Sequence, residues 1–391
     1  KYNFITKRKC VIIVLLILKK EKNMADDFTL QTNIDKQLDL LPAYVKEWYR
    51  TKMIAGRSKR TLYEYLNEYR RFFTWLIDAD IVPEKNIKDI PLSALENLSK
   101  ADAECFFIFL RERNLLNTNK PTNKSVSEVT IHRTYRALSG LFKYLTEQTE
   151  NENGEPYFYR NVMKKLEIRT KKKATLSAKA NKIAPKLFLG DLAKQFLQFI
   201  MDDTSAEGYV KKGNLSNRAL STYYRDRERD VAIIALIVGS GIRLSEAVNT
   251  DLKDLNLHTL SVEVTRKGGK KDHVNIAPYV IPYIEPFLEI RASRYKIDGK
   301  DANLPLFLSI QTGLPMRLKG AGIERLVGKY SKAFGTEITP HMLRHALATD
   351  LYMKTGQEGI VAQQLGHAST ALVSHYAHIA DSQVKDGLSL L

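Results

Sequence analysis

Apolar residues recur every three or four positions through most of residues 38–148, which is the spacing that places them on one face of an α-helix. Residues 43–53 predict a first helix. Ser58 predicts the N-cap of a second, because its hydroxyl can accept a hydrogen bond from a backbone amide of the first turn. Ser99 predicts the start of a third helix in the same way.

A fourth helix is predicted where Ser125 and Glu128 match the capping-box pattern. Its apolar stripe consists of Ile131, Tyr135, Leu138, Phe142 and Leu145. Four helices of this size predict a compact bundle. Arg133 and Arg136 lie off the stripe, where they either form a solvated face or contact phosphate groups.

Residues 151–186 have a different character, because polar turn residues open the segment and residues 164–186 hold nine Lys or Arg against one Glu. Apolar periodicity is brief here, so the pattern predicts an extended linker between domains at 38–150 and 187–391. A linker this basic, with Lys172 in it, is either simply solvated or follows a phosphate backbone.

The second predicted domain mixes helices with strands. Residues 229–239 predict an apolar helix that a Gly-Ser-Gly sequence ends, which delivers Arg243 just before a new helix near Ser245. Alternating apolar residues at 260–264 and again from Val274 predict a β-hairpin.

The turn of this hairpin carries Lys267. Two further helices are predicted at 279–295 and 320–334.

Four polar side chains follow within a short C-terminal stretch. Thr339, followed by proline, predicts a helix start, so His341 and Arg344 share one face of that helix at a spacing of three. A second apolar run ends at a glycine, which places His367 at a helix end, and a third run carries Tyr376. Taken singly such residues are weak signals, but together they point to a site.

Composition narrows the class of partner. The chain has 391 residues, 44% of them hydrophobic, and a formal net charge of +17, which favours a polyanionic partner, nucleic acid first and a membrane surface second. Residues 1–37 are interpreted as an N-terminal extension, of which 1–23 are expected to precede a start at Met24. With only Cys10 and Cys105, no disulfide framework is expected, and a cytoplasmic location follows.

Two arginines near each other suit a phosphate group, because each guanidinium can bind its oxygens with two parallel hydrogen bonds. Arg243 and Arg344 therefore predict a phosphate clamp. The sequence shows no acidic cluster of the kind that holds two catalytic metal ions, so a reaction without metal or cofactor is expected.

Tyr376 is the natural nucleophile for such a site, since a phenol can form a covalent phosphodiester. Lys267 could protonate the departing 5′-oxygen, and His341 could accept the phenolic proton or hold the phosphate. His367 would donate a hydrogen bond to the phosphate.

At these six positions the sequence resembles the tyrosine recombinase, or phage integrase, family, whose pattern is Arg, Lys, His-x-x-Arg, His or Trp, and Tyr. The segments that match are GSGIRLSEA, TRKGGKKD, HMLRH, LGHAS and SHYAHI. Within that family, LYEYLNEYRRFF and GEPYFYRNVMKK look like the Xer recombinases of streptococci and lactococci.

The resemblance implies a mainly α fold with a small β-sheet, in which a helical, SAM-like core-binding domain and an α+β catalytic domain close on duplex DNA. It also implies a homotetramer on two dif-like sites, resolution of chromosome dimers at cell division, and a septal DNA translocase as a partner. The tail at 380–391 is expected to dock on the next protomer, unless it packs within its own chain.

Three other functions compete. An integrase of a mobile element would share the catalytic residues, but many carry an arm-binding domain for which residues 24–39 are too short. A type IB topoisomerase would share the chemistry and relax DNA without recombining it. A non-catalytic DNA-binding protein would tolerate substitution of Arg243 or Tyr376.

Overall fold

The computed structural model describes residues 28–112, 126–168, 175, 178, 182–266, 269–366, 376, 377 and 379. Its contacts divide the chain into two compact units, Lys1–Lys173 and Ala174–Leu391, and each has its own core. No helix within the described ranges combines the length and the apolar character that a bilayer crossing requires.

The first unit is helical. Its helices are α1 at Ala43–Ile54, α2 at Lys59–Asp78, α3 at Leu92–Glu96, α4 at Lys100–Glu112 and α5 at Glu128–Glu147, with short 3-10 turns at Ile87–Asp89 and Val162–Lys165. Residues 28–40 are helical too, and Ile34 is fully buried, so part of the predicted N-terminal extension contributes to this core.

Aromatic side chains fill the first core. Trp48 meets Tyr69 edge to face with ring centroids 4.9 Å apart, and Phe72 meets Phe106 in the same way at 5.0 Å. Trp75 is buried beside Phe106. These contacts join α1, α2 and α4 into the predicted bundle.

Two details of this unit differ from the sequence predictions. The N-cap of α5 is Ser127, whose hydroxyl accepts a hydrogen bond from the Thr130 amide, whereas Ser125 lies outside the described residues. The linker prediction began too early, because Phe158 and Met163 are buried in the first core. Their apolar side chains are only briefly periodic, so sequence pattern alone did not separate them from a linker.

The second unit holds the remaining elements. Its helices are α6 at Asp191–Met201, α7 at Tyr209–Lys212, α8 at Asn217–Ser240, α9 at Leu244–Asn249, α10 at Ile281–Tyr295, α11 at Gly320–Phe334, α12 at Pro340–Thr355 and α13 at Glu358–Leu365. Its strands are β1 at Leu255–Asn256, β2 at Ser261–Thr265, β3 at Lys271–Asn275, β4 at Leu308–Gln311 and β5 at Leu314–Arg317, and its 3-10 turns are Ala184–Lys186, Leu252–Asp254 and Pro278–Val280.

Helix α8 is the centre of this unit and packs against α6, α10 and α12. Every residue from Arg229 to Ser240 is buried, as the apolar run predicted. The helix nevertheless begins at Asn217, after the Ser216 cap, because its charged first half is held by the buried Tyr223 and by ion pairs such as Arg227 with Asp203.

Two small antiparallel sheets complete the unit. Strands β1, β2 and β3 form one in that order, which confirms the predicted hairpin, with Val262 opposite Val274. Strands β4 and β5 form a second hairpin that the sequence reasoning missed. Thr312 and Gly313 at its turn have φ angles of 51° and 81°, the positive values that a two-residue hairpin turn of type I′ requires.

Candidate active site

Arg243 is presented by the end of the central helix. Gly241 closes α8 with φ +68°, a left-handed conformation that favours glycine, and a Cβ atom there would lie 2.8 Å from the end of the Leu347 side chain, which would have to move. Arg243 is then the N-cap of α9, with 39% of its side chain exposed. The sharp turn therefore fixes the backbone and leaves the guanidinium within reach of a ligand.

Glu246 holds Arg243 in place. Its carboxylate is almost fully buried and accepts hydrogen bonds from the Arg243 backbone amide at 2.7 Å and from Arg243 Nη1 at 2.9 Å. Burial by itself raises the pKa of Glu246, but the bonds from Arg243 and the charge of Arg266 outweigh it and hold that pKa below its ordinary value. The carboxylate is therefore ionised at neutral pH.

Arg344 is buried, with a relative exposure of 2%. Its Nη1 donates to the Gly241 carbonyl at 2.5 Å and its Nη2 to the Leu365 carbonyl at 2.7 Å. Burial first, and then the charge of Arg243, lower the pKa of Arg344 to about 10, so it stays charged at neutral pH. One guanidinium thus ties α12 to the ends of α8 and α13.

His341 lies one turn before Arg344 and is exposed at the protein surface. Its ring meets the ring of His345 edge to face, with centroids 4.3 Å apart. Partial desolvation of the ring, and then the charges of Arg344 and Arg243, lower the pKa of His341 below its ordinary value. The neutral form of the ring is therefore favoured at pH 7.

Tyr376 packs against α12 and α13, in a cluster that includes Ala346 and Leu365, and only 2% of it is exposed. Its Oη lies 3.1 Å from His345 Nδ1, within hydrogen-bonding distance. Burial raises the pKa of Tyr376, although the charges of Arg344 and Arg243 act in the opposite direction. The predicted nucleophile is a neutral phenol that contacts His345.

The structure therefore brings Arg243, His341, Arg344 and Tyr376 into one neighbourhood on the second unit. Lys267 and His367 lie outside the described residues, and their roles stay predictions. The flanking elements are described: β2 ends at Thr265 and β3 begins at Lys271, on either side of Lys267 in the sequence, and α13 ends at Leu365, before His367.

Of the predicted phosphate contacts, Arg136 is exposed on α5, and Lys172 lies outside the described residues. Arg133 has a structural partner, because its Nη2 donates at 3.0 Å to Glu68, a carboxylate on α2 with 1% exposure. Thr134 donates to the same carboxylate at 2.7 Å. Arg133 thus joins α5 to α2, whatever else it contacts.

Sequence reasoning missed Glu246 and His345. A signal for Glu246 was present, since it stands three residues after Arg243, where an acidic side chain can accept from the N-cap amide. His345 stands four residues after His341, a spacing that places both on one helix face.

Comparison with known proteins finds sequences that are similar to this one over most of its length. A model described as the phage integrase family matches residues 216–383. Tyrosine recombinase XerS of Streptococcus sanguinis (strain SK36) is 52% identical over 362 residues, which are 93% of this chain and 99% of that protein. Tyrosine recombinase XerS of Lactococcus lactis subsp. lactis (strain IL1403) is 51% identical over 359 residues, or 92% and 98%.

Solved structures share the fold. The XerH site-specific recombinase bound to a palindromic difH substrate, in a post-cleavage complex, has a TM-score of 0.56 at 22% identity and covers 85% of this chain and 79% of that one. A lambda integrase dimer bound to a COC′ core site has a TM-score of 0.52 at 15% identity, with 85% and 76% covered. They confirm the predicted fold class, and with relatives above 50% identity the chain belongs to the tyrosine recombinases of the phage integrase family.

Proposed function

We propose that this recombinase cuts and rejoins duplex DNA at dif-like sites through a 3′-phosphotyrosyl bond on Tyr376, and thereby resolves chromosome dimers during segregation. The relatives called XerS and the XerH structures with difH substrates support this choice of substrate. The observation that carries it is the contact of Tyr376 with His345, on the helix that also bears His341 and Arg344.

The first chemical step follows from this contact. Tyr376 Oη attacks the phosphorus while the bond from phosphorus to the 5′-oxygen breaks, and the phenolic proton passes to an imidazole. In this proposal His345, which lies within hydrogen-bonding distance of the phenol, takes the proton instead of His341, and the exposed His341 contacts the phosphate. Lys267 donates a proton to the 5′-oxygen, and the reverse attack of a 5′-hydroxyl rejoins the strand.

Charge stabilisation at the phosphorus falls to the arginines. The transition state gathers negative charge on the non-bridging oxygens, and donors held rigidly in a desolvated site stabilise it best. Arg344 is fixed by two backbone carbonyls and Arg243 by Glu246, so neither has to be ordered when DNA binds. His367 completes the set of donors in this proposal.

The family resemblance supplies the rest of the proposal: a homotetramer on paired sites, docking of the tail at 380–391 on the next protomer, and a septal DNA translocase as regulator. That tail lies outside the described residues. A chromosomal substrate agrees with the predicted cytoplasmic location.

The decisive experiment uses a nicked suicide duplex that carries the dif-like site of the source chromosome. The protein is incubated with it in EDTA, and covalent adducts are separated on a denaturing gel. Wild type is expected to form an adduct, and Tyr376→Phe none. Tyr352→Phe is the matched control, because Tyr352 lies on α12 and packs against the same cluster as Tyr376.

An adduct from Tyr376→Phe would refute the assignment of the nucleophile. Relaxation of a supercoiled plasmid that lacks any dif-like site, with no adduct on the suicide duplex, would favour the type IB topoisomerase. Equal adduct yields on the dif-like duplex and on a scrambled one would refute the proposed site.

A further inference from the structure

Arg266 is a largely buried cation that the reaction scheme above leaves without a role. It follows β2 directly and is adjacent in sequence to Lys267, and 9% of its side chain is exposed. Its Nη1 donates to both carboxylate oxygens of Glu246, at 3.1 and 3.2 Å. Its Nε donates to Asp272 at 3.0 Å, and its Nη2 to the Gln364 carbonyl at 3.4 Å.

Each of these partners lies within five positions of a predicted catalytic residue in the sequence. Glu246 also binds the backbone and the side chain of Arg243. Asp272 lies on β3, across the hairpin whose turn holds Lys267. Gln364 is in the last turn of α13, three positions before His367. One guanidinium therefore connects the supports of three catalytic positions.

The chain closely approaches this guanidinium at Gly366. A Cβ atom on Gly366 would lie 2.5 Å from Arg266 Nε and 2.6 Å from its Cζ, so any larger residue would displace Arg266. Gln364 adds bonds from its side chain to the Ser240 and Asn275 carbonyls, which fixes the end of α13 to α8 and β3. The Arg266 guanidinium is thus held by hydrogen bonds on three sides and lies against Gly366.

Lysine could not replace this arrangement. Arg266 uses three nitrogens in three directions, whereas an ammonium presents one nitrogen. A buried carboxylate whose partner is lost keeps its desolvation cost, so Glu246 would depend on Arg243 alone and draw that side chain toward itself. Loss of Arg266 would then disturb Arg243 and Lys267 together.

We infer that Arg266 is a positioning residue of the cleavage reaction, which holds the Lys267 turn and, through Glu246, the Arg243 side chain in register with the end of α13. The inference rests on the proposed function, because it acts through Lys267 as the acid for the 5′-oxygen. A misplaced acid lowers the rate of oxygen departure, and a displacement near 1 Å costs about 10²-fold.

The test compares two suicide duplexes, one with the natural 5′-oxygen and one with sulfur at that bridging position. In the second, Tyr376 Oη attacks the phosphorus, the phosphorus–sulfur bond breaks and a thiolate leaves. A thiol ionises near pH 8.5, so its departure requires no acid. Arg266→Lys is expected to cleave the oxygen duplex about 10²-fold more slowly than wild type and the sulfur duplex less than about 10-fold more slowly.

Arg291→Lys is the matched control for the loss of a buried arginine. Arg291 is 2% exposed and donates to the Leu306 and Pro305 carbonyls, away from the hairpin. It should lower thermal stability while both duplexes are cleaved at wild-type rates. Asp272→Asn removes only one partner of Arg266. It should cleave the oxygen duplex more slowly than wild type, by less than Arg266→Lys does, and cleave the sulfur duplex at nearly the wild-type rate. This variant keeps the test available if Arg266→Lys fails to fold.

Equal losses on both duplexes would overturn the inference that Arg266 acts through Lys267, because a displaced Arg243 or a general structural defect slows both reactions, whereas a displaced Lys267 slows only the first. Wild-type rates for Arg266→Lys on the oxygen duplex would overturn it too. Wild-type protein without an adduct on either duplex would remove the proposed function itself, and the inference with it. If wild type forms an adduct on both duplexes, the proposed function holds, and a failure of the Arg266 variants to behave as expected then counts against the inference alone.

Discussion

The charge state of His341 depends first on desolvation of its ring and then on two neighbouring arginines. Desolvation, Arg344 and Arg243 all disfavour the imidazolium, so the pKa of His341 in the folded protein lies below 6.5. The unfolded chain takes up this proton first as the pH falls. The contribution of His341 to stability is therefore complete above pH 6.5 and is lost as the pH falls through the folded pKa.

An NMR titration of labelled histidine should show this directly. The midpoint for His341 is expected below pH 6.5, and Arg243→Met should raise it because one repelling charge is removed. Arg325→Met is the control, since exposed Arg325 on α11 is not among the charges that act on His341. A His341 midpoint above 6.5, or one that ignores Arg243, would contradict the described environment.

The contact between His345 and Tyr376 should be measurable as a coupling free energy. We expect His345→Phe and Tyr376→Phe together to cost less than the sum of the two single changes, by about 0.5–1.5 kcal/mol. Urea unfolding of all four proteins gives this value. Additive costs would show that the Oη–Nδ1 contact contributes nothing to stability.

At the residue scale the sequence identified reacting groups better than their supports. Arg243, His341, Arg344 and Tyr376 were found because a phosphate reaction requires those side chains and the spacing repeats a known pattern. Glu246 and His345 carried only short spacing signals, beside Arg243 and His341, and Arg266 was missed because its contacts join elements distant in sequence. Arg266 meets Gln364 across 98 positions, a pairing that no local pattern encodes.

Among the elements, α13 ends at a glycine that lies against the Arg266 guanidinium. Gly356 and Gly366 end α12 and α13 in the same left-handed conformation, with φ of 65° and 59°. An alanine in that conformation costs roughly 1–2 kcal/mol by itself. A Cβ atom would meet nothing within 4 Å at Gly356 but Arg266 at Gly366, so the two positions differ only in the neighbour.

Gly366→Ala is therefore expected to destabilise the protein more than Gly356→Ala, and to slow adduct formation when Gly356→Ala does not. The additional loss of stability and of cleavage rate in Gly366→Ala, relative to Gly356→Ala, reports the displacement of Arg266. Urea unfolding and suicide-duplex cleavage provide the two readouts. Equal effects of the two alanines on both would mean that the close approach has no consequence.

At the scale of elements, apolar periodicity located α1, α2, α4, α10 and α11 to within about two residues, since each buries one clear face. It failed where burial does not explain the element. The first half of α8 is charged, and its ion pairs become evident only when residues such as Asp203 and Arg227 are seen together. Strands β4 and β5 are four residues each, too short to establish a period.

For the molecule as a whole, the net charge of +17 predicts DNA binding that weakens steeply with salt. Each phosphate neutralised should contribute about 0.9 to the slope of log K against log salt. Arg136 and Arg133 on α5 offer a matched pair. Arg136→Gln should reduce the slope by about one unit if Arg136 contacts a phosphate, without lowering stability, because its side chain is exposed.

Arg133→Gln should instead lower stability, because Glu68 loses a charged partner at a buried position. Fluorescence anisotropy of a labelled duplex across a salt series, with urea unfolding beside it, separates these effects. A salt slope unchanged in Arg136→Gln would remove that residue from the phosphate contacts.

The aromatic core of the first unit has a spectroscopic consequence. The chain has two tryptophans, Trp48 and Trp75, and both are buried in that core. Indole emission is therefore an intrinsic optical reporter of the first unit, whereas far-UV circular dichroism sums the helices of both units. If the two signals give different midpoints in urea, the emission curve belongs to the first unit, and stability can be assigned unit by unit without any added label.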